Sequence, residues 1–182
     1  MPQAAFIDRD GVINEERGFV HRAADFEFIS GSVEALGRLR AAGYLLVVIT
    51  NQSGIARGLY TEADLHELNS YMQERLAADG VQIDCIQYCP HLPDAPLAQY
   101  RQDCECRKPR AGMLLTASRE LNIDPAQSLL VGDRRADIEA GRAAGVARCF
   151  LVRSGKPLSA GDVALADGIY PDLAQCVEAV LR

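Results

Sequence analysis

No run of the 182-residue sequence reaches the length of a membrane-crossing helix, and nowhere do basic residues gather into a stripe. A membrane span needs about 20 consecutive apolar residues, so the first absence argues against an integral membrane protein. The second joins a balance of 19 basic against 25 acidic side chains, a formal net charge of −6. That balance argues against general affinity for nucleic acid or for an anionic membrane surface. An anionic substrate would have to be held by a few local cations. Internal repeats, low-complexity tracts and a linker are also missing, so residues 1–182 are expected to form one domain around one core. The N-terminal stretch lacks the basic segment followed by an apolar one that directs secretion, which leaves the cytoplasm as the expected compartment. Six cysteines would suit a small secreted scaffold, but the chain is neither small nor equipped for export. Metal ligation or burial is the expectation for them instead.

What is present alternates between strand and helix signals. Ala4 to Ile7 is a short apolar run of strand type that stops abruptly at Asp8-Arg9-Asp10-Gly11. Two carboxylates one residue apart at the end of a buried strand are an expensive arrangement: either they are solvated at the surface, or they hold a cation or move protons. Residues 15–31 carry Gly18 and Gly31 and read as a loop or small flap. A helix is predicted from Val33 to Ala42, followed by a strand from Tyr44 to Ile49 that opens into Thr50-Asn51-Gln52-Ser53-Gly54. Thr61 and Asp64 make a capping-box-like start for a helix reaching Ala78, and Ile83 to Tyr88 is a third strand. Helices are then expected after Pro109 through Leu121 and from Arg134 to Ala144, with strands at Ser128–Val131, Ala147–Val152 and, weakly, Gly168–Tyr170. A last helix carries Leu173, Val177, Val180 and Leu181 on one stripe. Such alternation gives an α/β fold, a doubly wound parallel sheet covered on both faces. Ligands of these sheets bind beyond the carboxyl ends of the strands. Asp8, Asp10, Thr50 and Asp133 all fall at those ends, so they are expected to converge.

Between the third strand and its following helix, residues 89–108 form an irregular segment too long for a compact domain unless something holds it. It begins with Cys89-Pro90-His91 and, after twelve intervening residues, carries Cys104-Glu105-Cys106. Three thiolates and an imidazole in two tight pairs suit tetrahedral Zn²⁺, and with no open ligand position that zinc would be structural. The alternative is reduced cysteines with a surface histidine. Cys85, Cys149 and Cys176 lie in or beside apolar patterns and are expected to pack in the core. His21 and His66 show no partner in the sequence and read as surface residues.

Four pieces, Asp8-Arg9-Asp10-Gly11-Val12, Thr50-Asn51-Gln52, Lys108 and Gly132-Asp133-Arg134-Arg135-Ala136-Asp137, stand in an order that resembles the haloacid dehalogenase superfamily of phosphatases. The resemblance spans nearly the whole chain and implies the superfamily's Rossmann-like core. It further implies that Asp8 attacks phosphorus to form an aspartyl-phosphate, and that Asp10 protonates the leaving alkoxide and then deprotonates the attacking water. Mg²⁺ would sit among the Asp8 carboxylate, the Asp10 backbone carbonyl and Asp133. Thr50 would hydrogen-bond the phosphoryl oxygens and Lys108 would offset their charge. On the residues alone, Thr50 is equally a strand-end turn former and Lys108 a solvated surface charge. Asp137, four residues after Asp133 on the same helix face, could serve only to favour a helix N-terminus.

The zinc-type loop running into Arg107-Lys108 narrows the resemblance to the branch that holds heptose bisphosphate and histidinol-phosphate phosphatases. The run from Asn51 to Gly58, the long loop and Cys106-Arg107-Lys108-Pro109 are closer to the heptose group. That branch implies a monomer without a large cap domain, so loops must shape the pocket. Arg17, Gly18, Phe19, Asn51, Gln52, Ser53, Arg107 and Arg134 are then the expected substrate contacts, with Arg107 suited to fork a second phosphate. Val12, where the superfamily often has threonine, and Arg134, where relatives commonly have lysine, depart from the pattern. The expected function is a Mg²⁺-dependent phosphomonoesterase acting on the C7 phosphate of a heptose bisphosphate, with a small phosphorylated sugar as its partner and neither nucleic acid nor membrane. A histidinol-phosphate phosphatase would share the chemistry. A polynucleotide 3′-phosphatase shares the aspartate motif but would want a basic stripe, and a non-catalytic zinc-organised binding module would not need Asp8, Asp10, Lys108 and Asp133 together.

Overall fold

A computed structural model describes residues 1–182. Its centre is β1 (Ala4–Ile7), paired on one side with β2 (Leu45–Asn51) and on the other with β4 (Leu129–Gly132). The sheet is completed by β3 (Cys85–Cys89), β5 (Arg148–Val152) and β6 (Gly168–Tyr170), in the order β3-β2-β1-β4-β5-β6, all parallel. Successive side chains of a strand face opposite ways, and the inner strands use both directions for burial. Ala5, Ile7, Leu46, Val48, Leu129 and Val131 pack beneath helices α1 (Ser32–Ala41), α3 (Glu62–Ala78) and α7 (Leu173–Val180). Ala4, Phe6, Val47, Ile49, Leu130 and Leu151 pack against α4 (Gly112–Glu120) and α5 (Arg135–Ala143). Fully burying one such aliphatic or aromatic side chain stabilises by about 1.5–3 kcal/mol, which is why these strands read as unbroken apolar runs rather than alternating ones.

From β1 the chain moves outward to β3, then returns to the other side of β1 to make β4. The crossover direction therefore reverses between β1 and β4, and the crevice at their carboxyl ends lies beside Asp8 and Asp133. The segment between β1 and α1 is a flap with one 3₁₀ turn at Ala23–Asp25, and no large cap domain is inserted anywhere in the chain. No helix is long and apolar enough to cross a membrane.

The expected elements recur with small shifts of boundary. Thr61 Oγ accepts the Asp64 N–H at 3.1 Å while Asp64 accepts the Thr61 N–H at 2.7 Å, the reciprocal cap that starts α3. The third strand starts at Cys85 rather than Ile83, because the Asp84 carboxylate accepts the Leu46 N–H at 2.8 Å and pairs with Arg40. Helices α2 (Ser53–Ala56) and α6 (Ala160–Val163) span one turn each, too short to leave a periodic signal. Cys149 and Cys176 are buried as expected, but Cys85 is only half-buried. It lies on an edge strand, within reach of Gln87 and Glu120. The two histidines have partners after all: His21 stacks on Tyr60 at 4.9 Å, and His66 meets Tyr88 edge-on at 5.6 Å.

Candidate active site

The end of β1 delivers Asp8, the end of β2 delivers Thr50, and the end of β4 delivers Asp133. Lys108 arrives from the far end of the long loop. Its ammonium lies 3.1 Å from Asp8 Oδ2 and 2.6 Å from Asp137 Oδ1, and donates to the Ile49 carbonyl at 2.9 Å. The loop end is pinned by Asn51, whose side chain donates to the Lys108 carbonyl and accepts the Lys108 N–H, both at 3.1 Å. Gln52 bridges the next two groups, donating to Asp10 Oδ2 at 3.0 Å and to Thr50 Oγ at 2.8 Å.

Charge in this crevice is out of balance. Asp8, Asp133 and Asp137 are all buried and can bring one oxygen each within 4.8 Å of one another, yet Lys108 is the only buried cation touching them. Burial pushes the Asp8 carboxyl up to about 8, with Lys108 only partly offsetting it and Asp137, Asp133 and Asp10 adding to the rise. Burial likewise raises Asp133 to about 6, with Asp137 the next contributor. For Lys108, burial alone would favour the neutral amine, but Asp137 and Asp8 outweigh it and raise its pKa. Asp133 Oδ1 is buried without a hydrogen-bond donor. An oxygen-rich, net-negative pocket with an orphaned carboxylate oxygen is the donor set a hard divalent cation requires.

Two backbone segments, the turn at Gly11 and residues 154–156, close around Asp133. Gly11 has φ +86°, and a Cβ there would stand 2.7 Å from Gly155 Cα and 2.8 Å from Asp133 Oδ2. Ser154 Oγ donates to the Gly11 carbonyl at 2.7 Å, and the Lys156 N–H donates to Asp133 Oδ2 at 2.9 Å. A Cβ on Gly155 would collide with the Asp133 carboxylate itself. The Gly155→Ala variant is therefore expected to fold and to lose on the order of 10²-fold in kcat/KM, the scale of a displacement of about 1 Å at a reacting centre. Steady-state kinetics against a Mg²⁺ titration reads this; unchanged kinetics would show that the position of Asp133 is immaterial.

Above these groups lies a cavity of about 310 Å³. Asp8, Asp10, Gly18, Phe19, Thr50, Asn51, Gln52, Ser53, Arg107, Lys108 and Arg134 line it, and Asp133 lies buried beneath. Arg17 is not among the lining residues. Its guanidinium pairs with Glu27 across the flap, and the chain turns away from it at Gly18 and Phe19, whose φ angles are +76° and +55°. The cavity also uses Glu16, Arg57, Tyr60, Ala136, Asp137 and Lys156. Glu16 engages Arg134 at 3.0 Å and Lys156 at 3.8 Å, whereas Arg57 and Arg107 have no acidic partner. Lys156 could have been anticipated, since it follows the carboxyl end of β5. Glu16 and Tyr60 carry no such signal.

Cys89, at the buried end of β3, His91, Cys104 and Cys106 form a second cluster. Cys89 Sγ lies 3.4 Å from Cys104 Sγ and 3.8 Å from His91 Nδ1; Cys106 Sγ lies 3.3 Å from Cys104 Sγ and 3.4 Å from His91 Nδ1. These lie within about 0.5 Å of the edges, about 3.8 Å for S···S and 3.5 Å for S···N, of a tetrahedron with Zn–S near 2.3 Å and Zn–N near 2.0 Å. Hydrogen bonding within the cluster, from Cys89 above all, lowers the pKa of the Cys106 thiol. The cluster fits Zn²⁺.

A family model described as HAD-hydrolase-like matches residues 105–176. Proteins named D-glycero-beta-D-manno-heptose-1,7-bisphosphate 7-phosphatase are similar over most of the chain. The one from Yersinia pestis is 46% identical over 177 residues, covering 97% of this chain and 94% of the relative. The one from Pasteurella multocida is 50% identical over 159 residues, covering 87% and 86%. Among solved structures, D,D-heptose 1,7-bisphosphate phosphatase from B. bronchiseptica, complexed with magnesium and phosphate, superposes with a TM-score of 0.85 at 34% identity, covering 98% of both chains.

Proposed function

Because the chain belongs to the heptose bisphosphate 7-phosphatase family of haloacid dehalogenase-like hydrolases, we propose that it removes the C7 phosphate of D-glycero-D-manno-heptose 1,7-bisphosphate. The observation that carries this reading is the set of Asp8, Lys108, Asp133 and Asp137 at the mouths of β1 and β4, beneath a polar cavity rimmed by unpaired arginines. Asp8 Oδ attacks phosphorus, the bond to the C7 oxygen breaks, and Asp10 delivers a proton to that leaving oxygen. Asp10 then takes a proton from the water that attacks the aspartyl-phosphate, releasing inorganic phosphate and restoring Asp8. Thr50 donates to a phosphoryl oxygen while Lys108 offsets its charge; one such contact is worth on the order of 2.7–4 kcal/mol of barrier.

Asp8, Asp133 and the Asp10 carbonyl would hold Mg²⁺, and Asp137, already engaged by Lys108 and by the Arg134 N–H at 2.9 Å, would orient the lysine. When bound, the ion supplies charge neutralisation to the transferring phosphoryl group. Zn²⁺ on Cys89, His91, Cys104 and Cys106 would be structural. A thiol cluster available to Zn²⁺ suits a reducing compartment, and we propose a cytoplasmic monomer acting on a small sugar phosphate.

Substrate choice is tested by kcat/KM in Mg²⁺ for heptose 1,7-bisphosphate and histidinol phosphate side by side. The bisphosphate is expected to be strongly preferred. Arg107, which has no acidic partner and donates to the His91 carbonyl at 3.2 Å, is expected to hold the distal phosphate. Arg107→Ala should cost about 10- to 100-fold in kcat/KM on the bisphosphate, the equivalent of one charged hydrogen bond, and leave a monophosphate unaffected. Preference for histidinol phosphate would assign the same chemistry to that substrate instead. Failure on both, with both metals bound, would favour the non-catalytic binding module.

A further inference from the structure

Arg9 stands between the two catalytic aspartates, yet its side chain is wholly excluded from solvent and lines no part of the cavity. Its guanidinium folds back onto the next residue. Nε reaches Asp10 Oδ1 at 3.3 Å, and Nη2 reaches Oδ1 and Oδ2 at 3.0 Å each. The same Nη2 donates to the Val20 carbonyl at 3.0 Å, and Nη1 approaches Asn69 of α3 at 3.5 Å. The main chain of Arg9 is equally committed, because its carbonyl accepts from the Val12, Ile13 and Asn14 N–H groups and so anchors the turn after β1. The other flank of Asp10 is also held: Asn14 Nδ2 donates to Oδ1 and Gln52 Nε2 to Oδ2, both at 3.0 Å. Tyr60 fixes the orientation of that Gln52 amide by donating to its Oε1 at 2.5 Å. Only the remaining face of the Asp10 side chain, 19% exposed, meets the cavity.

We infer that Arg9 is a positioning residue, a buried planar clamp that aims the Asp10 carboxyl group at the leaving oxygen without touching substrate. A fork of two nitrogens on one carboxylate fixes both its direction and its rotation, which a lysine ammonium cannot do. Pairing with Asp10 also neutralises Arg9, and a purely structural role for the pair would need nothing more. The two roles differ in one measurable respect. Proton delivery matters to phosphoenzyme formation when the leaving group is a sugar alkoxide, and matters little when it is a dinitrophenolate that departs unprotonated.

The inference rests on the phosphatase reading, and the test separates the two. The zinc-loaded protein in Mg²⁺ is assayed for kcat/KM, which reports steps up to phosphoenzyme formation, on the better of the two alkyl phosphates above and on 2,4-dinitrophenyl phosphate. Arg9→Gln is expected to lose about 10²-fold on the alkyl ester, the lower end of general-acid contributions, and no more than about threefold on the aryl ester. Arg9→Lys should recover part of the loss. Asn69→Ala, which removes only a support of the guanidinium, should show a smaller loss of the same selective kind and keeps the question answerable if the Arg9 variants do not fold. Equal losses on both esters, or none on either, would overturn the positioning role. A wild-type protein inert on both esters would instead dismiss the phosphatase itself and this inference with it.

Discussion

Asp8→Asn is expected to fold, to bind substrate and to be inert, with kcat lower by on the order of 10⁴- to 10⁶-fold. Asp8, the proposed nucleophile, is buried and 3.1 Å from Lys108, and an amide oxygen in its place is too poor a nucleophile to attack phosphorus. The shape is retained, and Asn Oδ1 can still accept the Arg9 N–H that Asp8 accepts at 2.7 Å. Stability should move the other way. In protein stripped of Mg²⁺, burial and three neighbouring carboxylates hold the Asp8 carboxyl up at about 8, from an ordinary 3.8. A carboxyl raised in the folded state binds its proton more tightly there than when unfolded. Its contribution to stability is therefore lost as pH rises from about 4 to about 8. At pH 7 the neutral amide avoids most of that loss, so metal-free Asp8→Asn should melt above metal-free wild type, and Mg²⁺ should raise the wild-type melting temperature more than that of the variant. Single-turnover kinetics and thermal melts with and without Mg²⁺ read both halves. Appreciable turnover would eliminate the aspartyl-phosphate, and a variant that melts lower would show that Lys108 and the backbone already compensate the charge.

Loss of the zinc site is expected to have the next largest effect. Cys104 sits 3.4 Å from Cys89 and 3.3 Å from Cys106, so Cys104→Ser removes a thiolate in contact with a member of each ligand pair. Two residues beyond Cys106 the chain reaches Lys108, and Arg110 donates to the Cys104 carbonyl at 3.0 Å. Slackening at the cluster is thus transmitted directly to the ammonium between Asp8 and Asp137. Zinc content should fall to near zero, the melting temperature by roughly 5–10 °C, the shift given by about 2–3 kcal/mol in a chain of this size, and kcat/KM by at least about 10²-fold. The two ions should also part company on chelation. Withdrawing Mg²⁺ stops turnover, which returns on its addition, whereas a zinc-depleted protein is not revived by Mg²⁺. Full zinc content and activity in Cys104→Ser would discard the proposed ligand set.

Much of this architecture could be read from residue order. Ala4 to Ile7 is apolar on both faces because helices cover both sides of β1, and the polar residues that interrupt each strand pattern mark the end where the cavity lies. The clustering of Cys89, His91, Cys104 and Cys106 was legible because four residues of ligand type occur in two tight pairs. The roles of Arg9 and Arg17 were not, since both depend on a turn that decides whether a long side chain reaches Asp10, Glu27 or the cavity. Asp137 looked like a helix-capping residue and does accept the Arg134 N–H, but its other oxygen meets Lys108, twenty-nine positions away. Only the packing of α5 against the loop end brings that contact about.

Asp8 continues a strand that is hydrogen-bonded along both edges and shut away from solvent on both faces, whereas the rim of the cavity is built from the flap and other connecting segments. Amides in such a central strand exchange with solvent only when the entire molecule opens, while those of the flap exchange through local fluctuations that leave the sheet intact. Asp8 therefore inherits the global stability of the fold. Substitutions in the rim are therefore expected to reshape which ligand is admitted without loosening Asp8.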